Sequence, residues 1–219
     1  MKLLLSLFII YGMSNAIAQQ SELNGRAILL AKIEHKQNSQ DLFQNARLNG
    51  RDRALLCSYC HGNDGNSLKD TIPNLAGQNP TYLLEQISKF ASGERKEFVM
   101  NSLARDLSED DQVNLAIFYS SQSVKRTVTD PAFVAKGKLI YARACQSCHG
   151  ADGRGESGYA RLAGQKTDYL KMTLTRYRDN TRHRQITGVK RSNPVMDSVT
   201  KGLSDTEIQY LAAYITSLR

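Results

Sequence analysis

LCSYCHGNDG, from Leu56 to Gly65, and ACQSCHGADG, from Ala144 to Gly153, are two copies of one phrase, and they decide how the whole chain is read. They use all 4 cysteines and two of the 4 histidines of the protein. In each copy histidine follows at once on the second of two cysteines: Cys57, Cys60 and His61, then Cys145, Cys148 and His149. This C-x-x-C-H spacing is that of covalent haem c attachment. Two thiols so placed on one turn of helix each add to a vinyl group of the porphyrin, and the adjacent imidazole takes the proximal side of the iron. A structural zinc site would gather four sulfurs, or a pair of histidines, in one place. A redox dithiol would have no need of histidine after both second cysteines. Cys57, Cys60, Cys145 and Cys148 are therefore assigned to two haem c groups, with His61 and His149 as iron ligands.

The duplication extends past the cysteines. IPNLAGQNPTYLLEQISKF (Ile72 to Phe90) lines up with YARLAGQKTDYLKMTLTRY (Tyr159 to Tyr177) at an offset of 87. MNSLARDLSEDDQVNLAIFY (Met100 to Tyr119) lines up with MDSVTKGLSDTEIQYLAAYI (Met196 to Ile215) at an offset of 96. Such a period means that one structural unit is used twice. The nine extra residues of the second copy fall within the basic stretch RYRDNTRHRQITGVKRSNPV. Each half has one methionine at the same point, Met100 and Met196, ahead of a last helix. A thioether favours ferrous over ferric iron, so histidine with methionine suits an electron carrier. Met172 fails the same test, because its counterpart is Glu85 and it stands among Leu170 and Leu174 at helical spacing; it is read as packing. His183, in the run Arg182-His183-Arg184, is the alternative to Met196, and His35 has no counterpart in the second half.

Each half reads as a helix, the haem motif, a glycine-rich loop, a middle helix, a methionine loop and a last helix, with no convincing strand alternation. The fold class is all-α: two tandem cytochrome c domains, each a small helical fold around one covalently bound haem c. Ser108-x-x-Asp111 and Ser204-x-x-Glu207 have capping-box form and mark the last helices. Ile208, Leu211, Ala212 and Ile215 then form one apolar stripe, and the first copy keeps Leu115, Ala116 and Tyr119. Gly50 and Gly137 lie inside the helices that precede the motifs. Glycine there costs about 1 kcal/mol relative to alanine, so close approach of the terminal helix of the same half is expected.

With 219 residues, 41% hydrophobic and 23% charged, the chain has room for one large or two small domains. Lys2, the apolar run Leu3 to Tyr11 and the small-x-small Ala16-Ile17-Ala18 have the form of a cleaved export signal. The run is well short of the roughly 20 residues needed to span a bilayer. Cleavage after Ala18 removes the charge of Lys2 and takes the net charge from +8 to +7. A basic exported protein is expected to dock on acidic protein surfaces or anionic lipid headgroups, and export separates it from nucleic acid. The chain divides into a signal peptide (1–18), an N-terminal extension (19–49) with an amphipathic stretch Leu23 to Ile33, a first cytochrome c domain (50–120), a polar linker (121–132) and a second domain (133–219). Pro131 opens the next helix.

These residues resemble the dihaem cytochromes c of the c4 type. The resemblance is carried by the two C-x-x-C-H-G motifs and the twin Leu-Ala-Gly-Gln-x-x-x-Tyr segments ending at Tyr82 and Tyr169. Phe90…Gly93-x-Arg95 with its echo Tyr177…Arg182, the two methionines, and the Leu-Ser-acid helix starts at Leu107 and Leu203 add to it. It covers roughly Gly50 to Arg219. It implies two class I cytochrome domains related by a pseudo-twofold axis, haems facing each other across the interface, and a periplasmic role feeding electrons to a terminal oxidase. Family members usually have proline before Leu-Ala-Gly-Gln in both halves, its carbonyl near the second nitrogen of the proximal histidine. Pro73 fits that pattern, and the second half has Ala160, which also offers a carbonyl.

The leading expectation is thus a monomeric carrier, with no catalytic residue, whose partners are redox proteins such as a quinol-oxidising complex or a terminal oxidase. The alternative is the haem-bearing, electron-accepting subunit of a periplasmic enzyme such as a sulfide-oxidising flavocytochrome. A dihaem enzyme acting on its own substrate would need an open iron position, and a methionine for each iron argues against it.

Overall fold

The computed structural model describes residues 20, 24–125, 127, 129–156, 158–179 and 191–219. The expected export signal, Arg182 and His183 lie outside the described residues. The first half comprises α1 (24–37), α2 (Gln40–Arg53), α3 (Leu55–His61), α4 (Pro80–Ser92), α5 (Phe98–Arg105) and α6 (Glu109–Ser120). The second comprises α7 (Pro131–Ala144), α8 (Gln146–His149), α9 (Thr167–Arg178), α10 (Pro194–Thr200) and α11 (Asp205–Ser217). The described residues contain no β-strand, and no helix among them is long and apolar enough to cross a membrane.

Local chemistry accounts for the helix starts. Pro80, Pro131 and Pro194 sit in first turns, where a missing N–H costs nothing. Both capping boxes form, Ser108 with Asp111 and Ser204 with Glu207, each hydroxyl accepting from the backbone N–H three residues on. The methionines were expected on loops, but both sit in the first turn of a short helix. Glu97 accepts from the Met100 N–H at 2.9 Å, and Asn193 accepts from the Val195 and Met196 N–H groups at 3.0 and 3.1 Å. A side chain that satisfies an N-terminal amide in this way nucleates a turn.

The two long helix pairs, α2 with α6 and α7 with α11, cross at Gly50 and Gly137. A Cβ on Gly50 would lie 2.7 Å from Phe118 Cβ and against the Asn114 carbonyl. One on Gly137 would lie 2.6 Å from Tyr214 Cβ and against the Tyr210 carbonyl. The expected close approach is what the glycines permit, and each crossing seals its own core. One core gathers Leu83, Leu84, Val113, Ile117 and Phe118; the other gathers Tyr141, Leu170, Leu174, Leu211 and Ile215.

The helix that carries Gly50 begins at Gln40, so it reaches back into the segment read as an extension. Before it, α1 packs on the first half. It buries Leu29 and Ile33 in the first core, worth about 1.5–3 kcal/mol each. Arg26 pairs with Glu85 at 3.3 Å, Lys32 with Glu109 at 2.8 Å, and Lys36 donates to the Asn114 side chain at 2.8 Å. Between the halves the polar linker is anchored by Asn66, which donates to the Ser123 carbonyl and accepts from the Lys125 N–H. Its Val124 wedges between the two equivalent glycines: a Cβ would meet a Val124 methyl at 2.8 Å from Gly77 and at 2.6 Å from Gly164.

Candidate haem sites and the interface between them

Each motif ends its helix in the same way. His61 and His149 close α3 and α8, and Gly62 and Gly150 follow with φ of 79° and 80°, a backbone region open to glycine. The chain then turns back under the imidazole. His61 Nδ1 donates to the Pro73 carbonyl at 2.9 Å, and His149 Nδ1 to the Ala160 carbonyl at 3.0 Å. The contact is to backbone oxygen, so the exchange of proline for alanine leaves it in place. Both rings are buried, and burial holds each below the ordinary histidine range, although the carbonyl bond works the other way. A neutral imidazole with Nδ1 committed keeps Nε2 as a lone-pair donor for a metal.

The four cysteines are half-buried and free of disulfides. Burial raises the Cys57 thiol above its usual range; burial, with Cys148 beside it, pushes Cys145 up to about 11. A reactive dithiol of the thioredoxin kind needs the opposite shift, a depressed pKa. The thiols of Cys57 and Cys145 therefore lack the activation that exchange chemistry requires.

Met100 and Met196 are half-buried, the latter packed against the second core. Met172 is half-buried in α9 between Leu170 and Leu174, and His35 is exposed on α1.

The two halves meet through the Leu-Ala-Gly-Gln segments, a use that the repeat by itself does not disclose. Gln165 Oε1 accepts from the Asn74 N–H at 2.7 Å and Gln165 Nε2 donates to the Asn74 carbonyl at 2.9 Å. Gln78 Oε1 accepts from the Arg161 N–H at 2.6 Å and Gln78 Nε2 donates to the Arg161 carbonyl at 2.9 Å. Gln78 and Gln165 are repeat equivalents, and so are Asn74 and Arg161. Residue i of one half holds residue j of the other and the reverse, the signature of a twofold contact.

Beside this clamp lies a buried guanidinium. Arg191 is 7% exposed and donates to the hydroxyls of Tyr82 and Tyr177 at 2.8 Å each and of Tyr169 at 2.5 Å. Arg95 also reaches the Tyr169 hydroxyl, at 3.4 Å. Burial would raise Tyr169, but the charges of Arg191 and Arg95 outweigh it and bring it down to about 7, while burial takes Tyr82 up to about 12. Among the described residues no carboxylate forms an ion pair with Arg191. Among the described residues this buried cation is met by hydroxyls and by the rings of Tyr169 and Tyr177, with no carboxylate to pair it, and such a cation is a seat for an anion. Haem c brings two propionates, so the donor set fits the cofactor: thiols for attachment, imidazole for iron, guanidinium and phenols for carboxylate. Arg191 was not singled out from the sequence. Counting from Leu-Ala-Gly-Gln leads to Arg182, whereas counting back five residues from each methionine pairs Arg95 with Arg191.

A family model described as Cytochrome c matches residues 134–219. Cytochrome c4 of Pseudomonas aeruginosa is 32% identical over 179 residues, 77% of this chain and 87% of the relative. The thiosulfate dehydrogenase electron acceptor of Stutzerimonas stutzeri is 26% identical over 211 residues, 88% of this chain and 91% of the relative. The crystal structure of reduced recombinant cytochrome c4 from Pseudomonas stutzeri superposes with a TM-score of 0.69 at 30% identity, over 78% of this chain and 97% of that one. Two C-x-x-C-H motifs on two cytochrome c domains imply two covalently attached haem c groups, and the chain belongs to the cytochrome c4 family of dihaem electron-transfer proteins.

Proposed function

We propose that His61 with Met100, and His149 with Met196, hold the two irons six-coordinate, Cys57 and Cys60 carrying one porphyrin and Cys145 and Cys148 the other. The bound groups supply one ferric/ferrous couple each. The chain's own residues fix the imidazoles through backbone carbonyls, close each core around its motif at the glycine crossings, and offer Arg191 and the tyrosines around it to propionate. The mirrored imidazole–carbonyl bonds, 2.9 and 3.0 Å, carry this reading. Two separate buried cores support a division into domains 50–120 and 133–219 joined by the linker 121–132, with the extension 19–49 adding Leu29, Ile33 and Ala46 to the first core.

The same reading places the mature chain in the periplasm after cleavage at Ala18, as a carrier that passes single electrons between respiratory complexes toward a terminal oxidase. Its positive charge steers it to acidic docking surfaces. A second reading, an electron acceptor for a periplasmic sulfur-oxidising enzyme, is favoured by the similarity to the acceptor of thiosulfate dehydrogenase. Mass spectrometry of the exported protein should find two added haems. Met196→Ala should open the second iron to carbon monoxide and lower its potential, with loss of the weak near-infrared sulfur-to-iron band; an unchanged spectrum and potential would remove Met196 from the site. Copurification from membranes with an oxidase, or with a thiosulfate-oxidising enzyme, separates the two readings.

A further inference from the structure

The peptide group between Pro73 and Asn74 does two things at once. Its oxygen accepts from His61 Nδ1 at 2.9 Å, and its N–H donates to Oε1 of Gln165, in the other half, at 2.7 Å. The peptide group between Ala160 and Arg161 repeats the arrangement: the oxygen accepts from His149 Nδ1 at 3.0 Å, and the N–H donates to Oε1 of Gln78 at 2.6 Å. Asn74, Gln78 and Gln165 are 5%, 5% and 7% exposed, so the bond between Asn74 and Gln165 operates out of water, and the one between half-buried Arg161 and Gln78 is partly shielded from it.

We propose that each interface glutamine is a positioning residue for the proximal histidine of the opposite half, and sets part of that haem's reduction potential from across the interface. A peptide group is conjugated, so an acceptor on its N–H moves electron density to its oxygen. In a desolvated site, hydrogen bonds in a chain strengthen one another by roughly 10–30%. A better acceptor at Pro73 draws the Nδ1 proton of His61 further, makes the imidazole a stronger donor to iron and favours the ferric state. Gln165 therefore tunes the haem of Cys57 and Cys60, and Gln78 tunes the haem of Cys145 and Cys148. The effect is crossed, and the clamp that joins the halves is also what informs each iron of the other half's position.

This inference rests on His61 and His149 being iron ligands. The test uses the holoprotein with Gln165→Met or Gln78→Met, which keep the side chain's length and remove its acceptor. At a fixed ambient potential, Gln165→Met should shift the ferrous-to-ferric ratio of the first haem toward ferrous by up to about tenfold, because only the ferric-minus-ferrous part of a roughly 10–30% weakening of a desolvated hydrogen bond reaches the ratio. The second haem should move less, and Gln78→Met should give the reverse pattern. In ferrous NMR spectra the His61 Hδ1 resonance should move in Gln165→Met while that of His149 stays. Equal shifts of both haems in either variant would mean general loosening of the interface and would overturn the proposal, as would no shift. If Gln165→Met does not assemble, Gln165→Glu retains an acceptor on the Asn74 amide and should move the first haem toward ferric; no movement, or movement toward ferrous, overturns it. Absence of two ring-current-shifted imidazole Hδ1 resonances in the unmodified protein would instead sink the ligation reading itself.

Discussion

The two halves agree where the haem motifs are held and differ where each is covered. Both place a proximal Nδ1 on a backbone carbonyl, both cross a glycine against their last helix, and both send a glutamine to the other half. They part at α1, bonded through Arg26, Lys32 and Lys36 to α4 and α6 of the first half. They part again before α10, where the second half delivers Arg191 into the interface, buried, while its counterpart Arg95 stays half-exposed over Phe90 at 4.3 Å. What is repeated is what keeping and coupling two haems requires. What is unrepeated makes one end of the molecule chemically different from the other.

That equivalence is broken most severely at the crossings. Gly137→Leu should drive a side chain into the Tyr210 carbonyl and cost about 3 kcal/mol or more, at the upper end for overpacking. Gly50→Leu should do the same to the first half, whereas Gly25→Ala, in α1 with nothing within 4 Å, should not lower the stability read by urea denaturation of the holoprotein and should raise it by no more than about 1 kcal/mol. A difference of more than about 1 kcal/mol between the two crossing variants would show that the halves are unequally dependent on them. Arg191→Gln comes next: removing a buried charge whose partners stay behind should cost about 3 kcal/mol, against about 1 kcal/mol for Arg95→Gln, measured the same way. Ile33→Ala should take about 2 kcal/mol from the first half alone, visible as an earlier loss of the Cys57 haem's spectrum than of the Cys145 haem's. The smallest effect is expected from Pro73→Ala. It makes the first half match the second at this position, should cost no more than about 1 kcal/mol through the unfolded chain, and should leave the first haem's potential unchanged because the carbonyl stays.

Much of this was legible before the fold. The haem motifs, the capping boxes, the apolar stripe of α11 and the glycine crossings are local or nearly local, and each depends on residue types at fixed spacing. The glutamine clamp was visible as a repeated word but not as a contact, because its partners Asn74 and Arg161 lie 91 and 83 residues away. Arg191 escaped because an insertion can be placed at either end of a gap, and only the tyrosine cluster tells which arginine of the second half takes the role of Arg95. Val124 read as part of a polar, aperiodic linker, since nothing local distinguishes a lone valine that fills a gap between two distant glycines. The methionines were expected on loops because their helices are short, and only the caps at Glu97 and Asn193 reveal them.

The reciprocal hold of Gln78 and Gln165 has an implication for how such a molecule is assembled. A patch that is complementary to itself needs no second design: any two copies of a single domain bearing Leu-Ala-Gly-Gln could join face to face through the same four hydrogen bonds. On its own, such a pair would come apart on dilution. The tether through Val124 turns that association into an intramolecular one, at an effective concentration on the order of millimolar, so that two irons remain partners in a compartment where free domains would drift apart.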